Sequence, residues 1–333
     1  MVKIGVVGVG HLGKFHVQKF LKIADCSLAG IYDINQQRAQ EVSQALGVKS
    51  FPTYEELLDN VDAVDIAATT TYHYELAKSA LLKGKHIFVE KPITSDLAQA
   101  EELLQIAKDK DMIIQVGHIE RFNPVILKVE DEINEPMFIE SHRISMFQPR
   151  GTDVPVVLDL MIHDIDLILS FIQSPLQEIR ASGVGILTPS IDIANARLEF
   201  ANGAIANVTS SRVSMKQERK IRFFQQDAYI SLDFIAKQVT VMKKAEGIKD
   251  VLPDILLGKT DFKPEELIDI KNIDVRDYPK DALEMELESF ITCVKEHKQP
   301  KVDGAAATRA LQVAMDIVRV INANTVSYDS YLN

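Results

Sequence analysis

Up to about residue 119, short runs of Val and Ile alternate with longer amphipathic stretches. The apolar runs are VKIGVVG (2–8), CSLAGIYD (26–33), DAVDIAA (62–68), KHIFVE (85–90) and MIIQVG (112–117), with KSFPTY (49–54) as a weaker candidate. Near-continuous apolar runs of strand length are buried on both faces, as in a parallel sheet covered by helices on either side. The segments between them, HLGKFHVQKFLKI, NQQRAQEVSQAL, YHYELAKSALLK and DLAQAEELLQIAKDK, carry helical spacing. Gly47 and Gly84 stand just past two of these, where helices commonly end. The pattern predicts a doubly wound α/β domain over residues 1–119.

Beyond about residue 135 the period changes. FIESHRISMF, ANARLEF, GAIANVTSSRV, KIRFFQQ, AYISLDF and QVTVMKK are extended candidates, several alternating apolar with polar positions. Asn202-Gly203 between two of them is a hairpin signal. Alternation predicts a mainly antiparallel, open sheet with helices on one face. One helix, VVLDLMIHDIDLILSFI (156–172), interrupts it, and two more close the chain at 281–298 and 303–323, with Asp303 as a possible cap. Residues 120–333 therefore read as a second, α+β domain, whose terminal helix could pack back on the first. The stretch 244–280 has no clean period and is expected to wander over the surface.

Composition narrows the classes. At 333 residues, two domains are expected, and 46% hydrophobic with 26% charged residues is ordinary for a globular protein. The net charge of −11, without a basic run, disfavours nucleic acid as a partner. No stretch approaches the length of a membrane span. The first residues read as a buried strand, not as a leader. Two cysteines, Cys26 and Cys293, are too few for a disulfide scaffold, and a reducing, cytoplasmic compartment is the expectation.

Gly8-Val9-Gly10-His11-Leu12-Gly13 follows the first predicted strand and opens the first predicted helix. Such a pattern is weak alone, but this is the context that dinucleotide binding requires. Gly8 permits the tight turn, Gly10 the approach of the pyrophosphate, and Gly13 close packing of helix on strand. The helix start at His11 and Leu12 then offers free N–H groups to phosphate. Asp33 ends the second strand 20 residues after Gly13, where a carboxylate accepts from the adenosine ribose 2′-hydroxyl and repels a 2′-phosphate. That favours NAD over NADP. Arg38 could soften the preference, or lie on the solvated face of its helix.

Two further groups suggest chemistry. Glu90-Lys91-Pro92 closes KHIFVE, at the end of the sheet where ligands bind. Lys91 could stabilise charge developing on a substrate oxygen, although a solvated lysine before a proline turn is the commoner case. In the helix 156–172, Asp159, His163, Asp166 and Ser170 fall on one narrow stripe. A solvated face would be broader and rich in Lys and Glu, so the stripe reads as the wall of a polar cavity. His163 is suited to proton transfer near neutral pH, with Asp159 one turn away. A divalent metal on Asp159, His163 and Asp166 is disfavoured, because no further histidine pair lies nearby. No metal is expected.

GVGHLG, Asp33, Glu90-Lys91-Pro92 and DLMIHDID, in this order, resemble the glucose–fructose oxidoreductase / inositol dehydrogenase / MocA family over nearly the whole chain. The resemblance implies an N-terminal Rossmann domain, a C-terminal domain whose open sheet commonly joins subunits as homodimers or homotetramers, and an NAD-dependent oxidation of a sugar hydroxyl. It implies catalytic roles for Lys91, Asp159 and His163, and cofactor-side positions for Thr69, His73 and Glu90. One departure is Thr70, which replaces the proline frequent in the family. A narrower similarity, in VGHIERFNP (116–124) and FQPRGTDVPVVLDLMIHDID, points to the branch that oxidises UDP-N-acetylglucosamine at C3. Arg121, Asn123 and Arg150 are then candidate substrate contacts. Equally, Asn123-Pro124 could cap the next helix, with Arg121 at the surface.

Overall fold

The computed structural model describes residues 1–148, 154–245, 253, 255, 257, 259 and 267–329. The chain divides into two compact units, one of Met1–Asn123 with Pro279–Val313 and one of Pro124–Tyr278 with Ala314–Asn333.

In the first unit β1 (Val2–Val7), β2 (Cys26–Tyr32), β3 (Ala63–Ile66), β4 (His86–Glu90) and β5 (Ile114–Gly117) form a parallel sheet in the order β2-β1-β3-β4-β5. Helices α1 (His11–Phe20), α2 (Gln36–Leu46), α3 (Tyr54–Leu58), α4 (Thr70–Leu82) and α5 (Leu97–Lys110) connect the strands. Caps set their starts: Asn35 Oδ1 accepts the N–H of Arg38, Thr53 Oγ1 that of Glu56, and Asp96 Oδ1 those of Ala98 and Gln99. The strand order reverses beside β1, which opens a crevice at the carboxyl ends of β1 and β3.

The weak candidate KSFPTY adds no strand: Ser50 makes one bridge to Ile31. Pro52 has no N–H with which to extend a ladder, and the chain turns into α3 at the Thr53 cap. The late helix Ala282–Glu296 belongs to this unit. Its Leu287, Phe290 and Ile291 join Ile4, Phe20 and Phe88 in one buried cluster. Asp303 caps the last helix, Gly304–Asp329, by accepting from the N–H of Ala306.

The second unit contains the short α6 (Pro124–Leu127), then β6 (Phe138–Ile144), α7 (Ile162–Phe171), β7 (Leu176–Val184), β8 (Ile193–Phe200), β9 (Ile205–Ser211), β10 (Glu218–Phe224), β11 (Ala228–Asp233), β12 (Gln238–Lys244) and β13 (Ile268–Asp274). The eight strands lie in the order β13-β12-β11-β10-β6-β9-β8-β7, antiparallel except for the β6–β9 pair. Asn202-Gly203 forms the turn between β8 and β9, with Asn202 Oδ1 accepting the N–H of Ala204. β13 falls within the stretch expected to be irregular. Six of its seven residues are exposed, so no alternation betrays it.

One face of this sheet carries α7, where Phe223 meets Phe171 edge-on at 5.2 Å and Ala206 and Val208 are fully buried. The other face is mostly polar. An apolar line runs in register across six strands: Ile205, Phe138, Phe224, Tyr229, Met242 and Ile270. Along the neighbouring line stand Asn207, Glu140, Arg222, Ser231 and Thr240.

Candidate active site

In the first unit the end of β1, the glycine turn and the start of α1 shape a cleft. Gly8 takes φ +84°, and a Cβ there would stand 2.8 Å from the backbone of Ala68. At Gly13 a Cβ would lie 1.9 Å from the carbonyl oxygen of Gly8, so helix and strand can approach only through glycine. Gly10 faces open space, its nearest neighbour being the Arg38 guanidinium at 4.0 Å. No side chain caps α1, which leaves the N–H groups of its first turn, from His11 and Leu12 onward, for an anion. Leu12 is partly exposed, and the His11 ring stands edge-on to Phe15 at 5.3 Å.

A cavity of about 190 Å³ adjoins this turn, with Gly8, Gly10, Asp33, Arg38, Thr69 and Tyr72 among its walls. Asp33 is 3% exposed. Its Oδ2 accepts the N–H of Val9 at 2.9 Å and its Oδ1 that of Asn35 at 2.8 Å, while Arg38 Nη1 stands 3.5 Å away. Asp33 thus ties the glycine turn to the second strand and borders the space for a ribose. The bare glycines, the uncapped helix start and the buried carboxylate fit a dinucleotide.

Farther along the sheet edge, His73 is buried with its ring nitrogens 2.9 Å from the carbonyl of Pro92 and 3.0 Å from that of Ala68. Burial lowers its pKa, against the two carbonyls that raise it, and the ring braces the turn after Lys91. Glu90 Oε2 accepts the N–H of Lys91 at 3.2 Å, and its Oε1 lies 3.2 Å from His16 Nε2. His16 Nδ1 in turn lies 2.8 Å from Asp65 Oδ2. Sequence reasoning passed over His16 and Asp65. The available signal was a lone carboxylate inside the apolar strand AVDI and a histidine on the buried face of α1.

Asn123 and Arg121 close the 1–123 segment of this unit. The Asn123 side-chain amide donates to Glu120 Oε2 at 2.9 Å, and Arg121 donates to the carbonyl of Lys301 at 3.3 Å. Arg150 lies outside the described residues.

In the second unit the predicted helix begins as a π turn, Val157–Met161, and continues as α7. Asp159 lies in the wider turn and His163 one residue into the regular helix, so their angular offset departs from that of an ideal α-helix. Asp159 and His163 are half-buried and Asp166 is buried, while Ser170 donates to the carbonyl of Leu167 in its own helix. Asp164, off the stripe, forms a buried two-pronged pair with Arg143 of β6, whose Nε donates to Oδ2 at 3.2 Å and Nη2 to Oδ1 at 2.7 Å. Among the described residues no group of three or more His, Cys, Asp or Glu is arranged to hold a metal, and no helix is long and apolar enough to cross a membrane.

Known proteins resemble this chain over most of its length. Residues 2–118 match the model of the oxidoreductase family with an NAD-binding Rossmann fold, and residues 139–231 match the GFO/IDH/MocA C-terminal domain. The UDP-N-acetylglucosamine 3-dehydrogenase of Acidithiobacillus ferrooxidans is 34% identical over 97% of this chain and 98% of its own, and its crystal structure superposes with a TM-score of 0.86. The myo-inositol 2-dehydrogenase of Thermotoga maritima is 27% identical over 74% of this chain and 79% of its own. The scyllo-inositol dehydrogenase of Lactobacillus casei, solved with NAD(H) and scyllo-inositol, shares the fold at a TM-score of 0.77 and 20% identity, covering 97% of this chain and 98% of its own. The glycine turn with Asp33, the open second sheet and these matches lead to one conclusion: the chain is an NAD-binding oxidoreductase and belongs to the Gfo/Idh/MocA family.

Proposed function

We propose that this enzyme oxidises the 3-hydroxyl of a UDP-linked amino sugar, with UDP-N-acetylglucosamine as the preferred substrate. The observation that carries the reading is the 34% identity to a UDP-N-acetylglucosamine 3-dehydrogenase along 97% of the chain. Lys91, Asp159 and His163 all stand at the positions for which the family resemblance implies catalysis.

Bound NAD supplies the acceptor for the hydride that leaves the carbinol carbon. His163 takes the proton of the hydroxyl as general base, a role for which imidazole is matched to neutral pH. Lys91 donates a hydrogen bond to the same oxygen and stabilises the negative charge it gains in the transition state. Asp159 orients the sugar by accepting from a hydroxyl. Arg121 and Arg150 are assigned to the substrate, because in a chain of net charge −11 a diphosphate needs local cations, and Asn123 is assigned beside them as a neutral contact. The polar sheet face with its apolar line is assigned to contact between copies of the chain, as a homodimer or homotetramer.

The test is NADH formation with UDP-N-acetylglucosamine beside free N-acetylglucosamine, glucose and myo-inositol. An aminotransferase or a carbonyl trap is coupled to the assay to remove a keto product that forms uphill. The UDP-sugar should be turned over in preference to all three. Efficient oxidation of a free sugar or of inositol, with none of the UDP-sugar, would reject the substrate while leaving the dehydrogenase intact.

A further inference from the structure

Beneath the Glu90-Lys91 turn, the first unit sets three ionisable side chains in a line, two buried and the third, Glu90, half-buried. Asp65, in β3, is 0% exposed, and His16, on α1, is 1% exposed. The His16 ring lies between two carboxylates, with Nδ1 2.8 Å from Asp65 Oδ2 and Nε2 3.2 Å from Glu90 Oε1. Burial raises the Asp65 pKa, and the charge and hydrogen bond of His16 oppose that rise; with both carboxylates ionised, and so accepting only, the ring between them carries a proton on each nitrogen. Burial alone would lower the imidazole pKa, but Asp65 and then Glu90 outweigh it and hold the ring well above its ordinary value. Phe88, edge-on at 5.8 Å, fills the remaining side of the ring. The other charged or titratable groups that face Glu90 are Lys91 and His73.

The far end of the line meets the reacting end of the sheet. Glu90 Oε2 holds the N–H of Lys91, and Glu90 packs against Gly117 of β5, where a Cβ would stand 2.9 Å from that oxygen. Both Glu90 oxygens are thus engaged by the protein itself. A buried line of charges is a poor way to stabilise a core, since apolar residues of similar volume commonly serve as well or better. The arrangement therefore asks for another role.

We infer that His16, held as an imidazolium between Asp65 and Glu90, is a positioning residue that fixes Glu90 and, through it, the backbone from which Lys91 reaches the substrate oxygen. The inference rests on Lys91 acting at that oxygen, as proposed above, and not on which sugar is oxidised. His16 touches neither substrate nor cofactor in this role.

The experiment has a spectroscopic and a kinetic arm, both on the full chain. Side-chain ¹⁵N spectra with NAD bound, with the His16 signal assigned by its loss in His16→Gln, should show a doubly protonated ring at pH 7.5. A neutral ring overturns the inference. In kinetics with whichever sugar is oxidised, Asp65→Asn should lower kcat at least tenfold while KM for NAD and for sugar moves less than threefold. Adding His16→Gln should lower kcat little further, because both substitutions break one line. A wild-type kcat, or a loss confined to KM, overturns the positioning role. If Asp65→Asn does not fold, Glu90→Gln carries the same kinetic criterion, since its side chain lies at the more open end of the line. The spectrum reads the clamp whether or not UDP-N-acetylglucosamine is turned over, so failure of the substrate reading is distinguishable from failure of this one.

Discussion

Asp33 carries two duties at once. It holds the Val9 and Asn35 N–H groups, and its remaining lone pairs border the space for the adenosine ribose. Asp33→Ala should therefore weaken NAD through both the lost ribose contact and a looser glycine turn. Hydrogen bonds to charged groups contribute about 1.5–3 kcal/mol, so a roughly 10–100-fold rise in Kd is expected. The Arg38 guanidinium remains as a cation on the cavity wall, and the preference for NAD over NADP should narrow. Calorimetric titration of both cofactors checks this, and a wild type that binds NADP tenfold more tightly would remove the assignment. His163→Ala should lower kcat roughly 10²–10⁴-fold with NAD affinity little changed, as expected of a general base. Near-normal turnover would give the proton to another group. Asp33 was legible because it lies a fixed distance beyond the glycine turn. The position of Arg38 was not, because spacing along α2 leaves open whether a half-exposed side chain leans to the cleft or to solvent.

At the scale of elements, the helix that carries His163 is anchored to its sheet by the buried Arg143–Asp164 pair. Breaking a buried pair by removing one partner leaves an uncompensated charge, at a cost of about 3–5 kcal/mol. Arg143→Met should thus lower Tm by several degrees, and adding Asp164→Leu should recover much of the loss. Equal destabilisation in the single and double variants would show that the pair does not act as a clasp. Another anchor closes the loop between β7 and β8. Asp192 accepts from the N–H groups of Ile186, Leu187 and Thr188 and from the Thr188 hydroxyl, and Arg212 stands 3.2 Å away. Burial alone would raise its pKa, but the Thr188 hydroxyl and the three N–H groups bring it down to about 2. A carboxylate with a depressed pKa stabilises the fold above its unfolded value, near 4, and loses that contribution as pH falls through about 2. The Tm gap between the wild type and Asp192→Asn should therefore hold from pH 7 to about 5 and close below pH 4.

For the molecule as a whole, assembly is the property most open to test. The line from Ile205 through Phe138, Phe224 and Tyr229 to Ile270 places apolar side chains on a face that α7 does not cover. Apolar surface of this kind, framed by polar residues, marks contact sites, and closed symmetric dimers reuse one patch on both copies. Light scattering at micromolar concentration should report a homo-oligomer, and Phe224→Glu should shift it towards monomer while the fold persists. A wild-type monomer would remove this assignment. Alternation in β9 buries Ala206 and Val208 and turns Ile205, Asn207 and Thr209 the other way. Only the register across strands gathers Ile205, Phe138, Phe224, Tyr229, Met242 and Ile270 into one line on a mostly polar face.

What the amino-acid sequence determined alone is what short-range stereochemistry dictates. The strand–glycine turn–helix unit, Asp33 beyond it, the alternation of the open sheet and the Asn202-Gly203 hairpin each rest on backbone preferences and periodicity within a few dozen residues. Tertiary structure decided the rest. β7 and β13 carry too few buried residues to alternate, so pairing with their neighbours, not their own pattern, makes them strands. The return of 279–313 to the first unit follows from where Leu287 and Phe290 find apolar partners. His16, Asp65 and Glu90, like Arg143 and Asp164, acquire meaning only where packing brings them within hydrogen-bond distance. Buried polar groups must find partners wherever the fold supplies them, and such partners are chosen by proximity in space, which sequence separation does not encode.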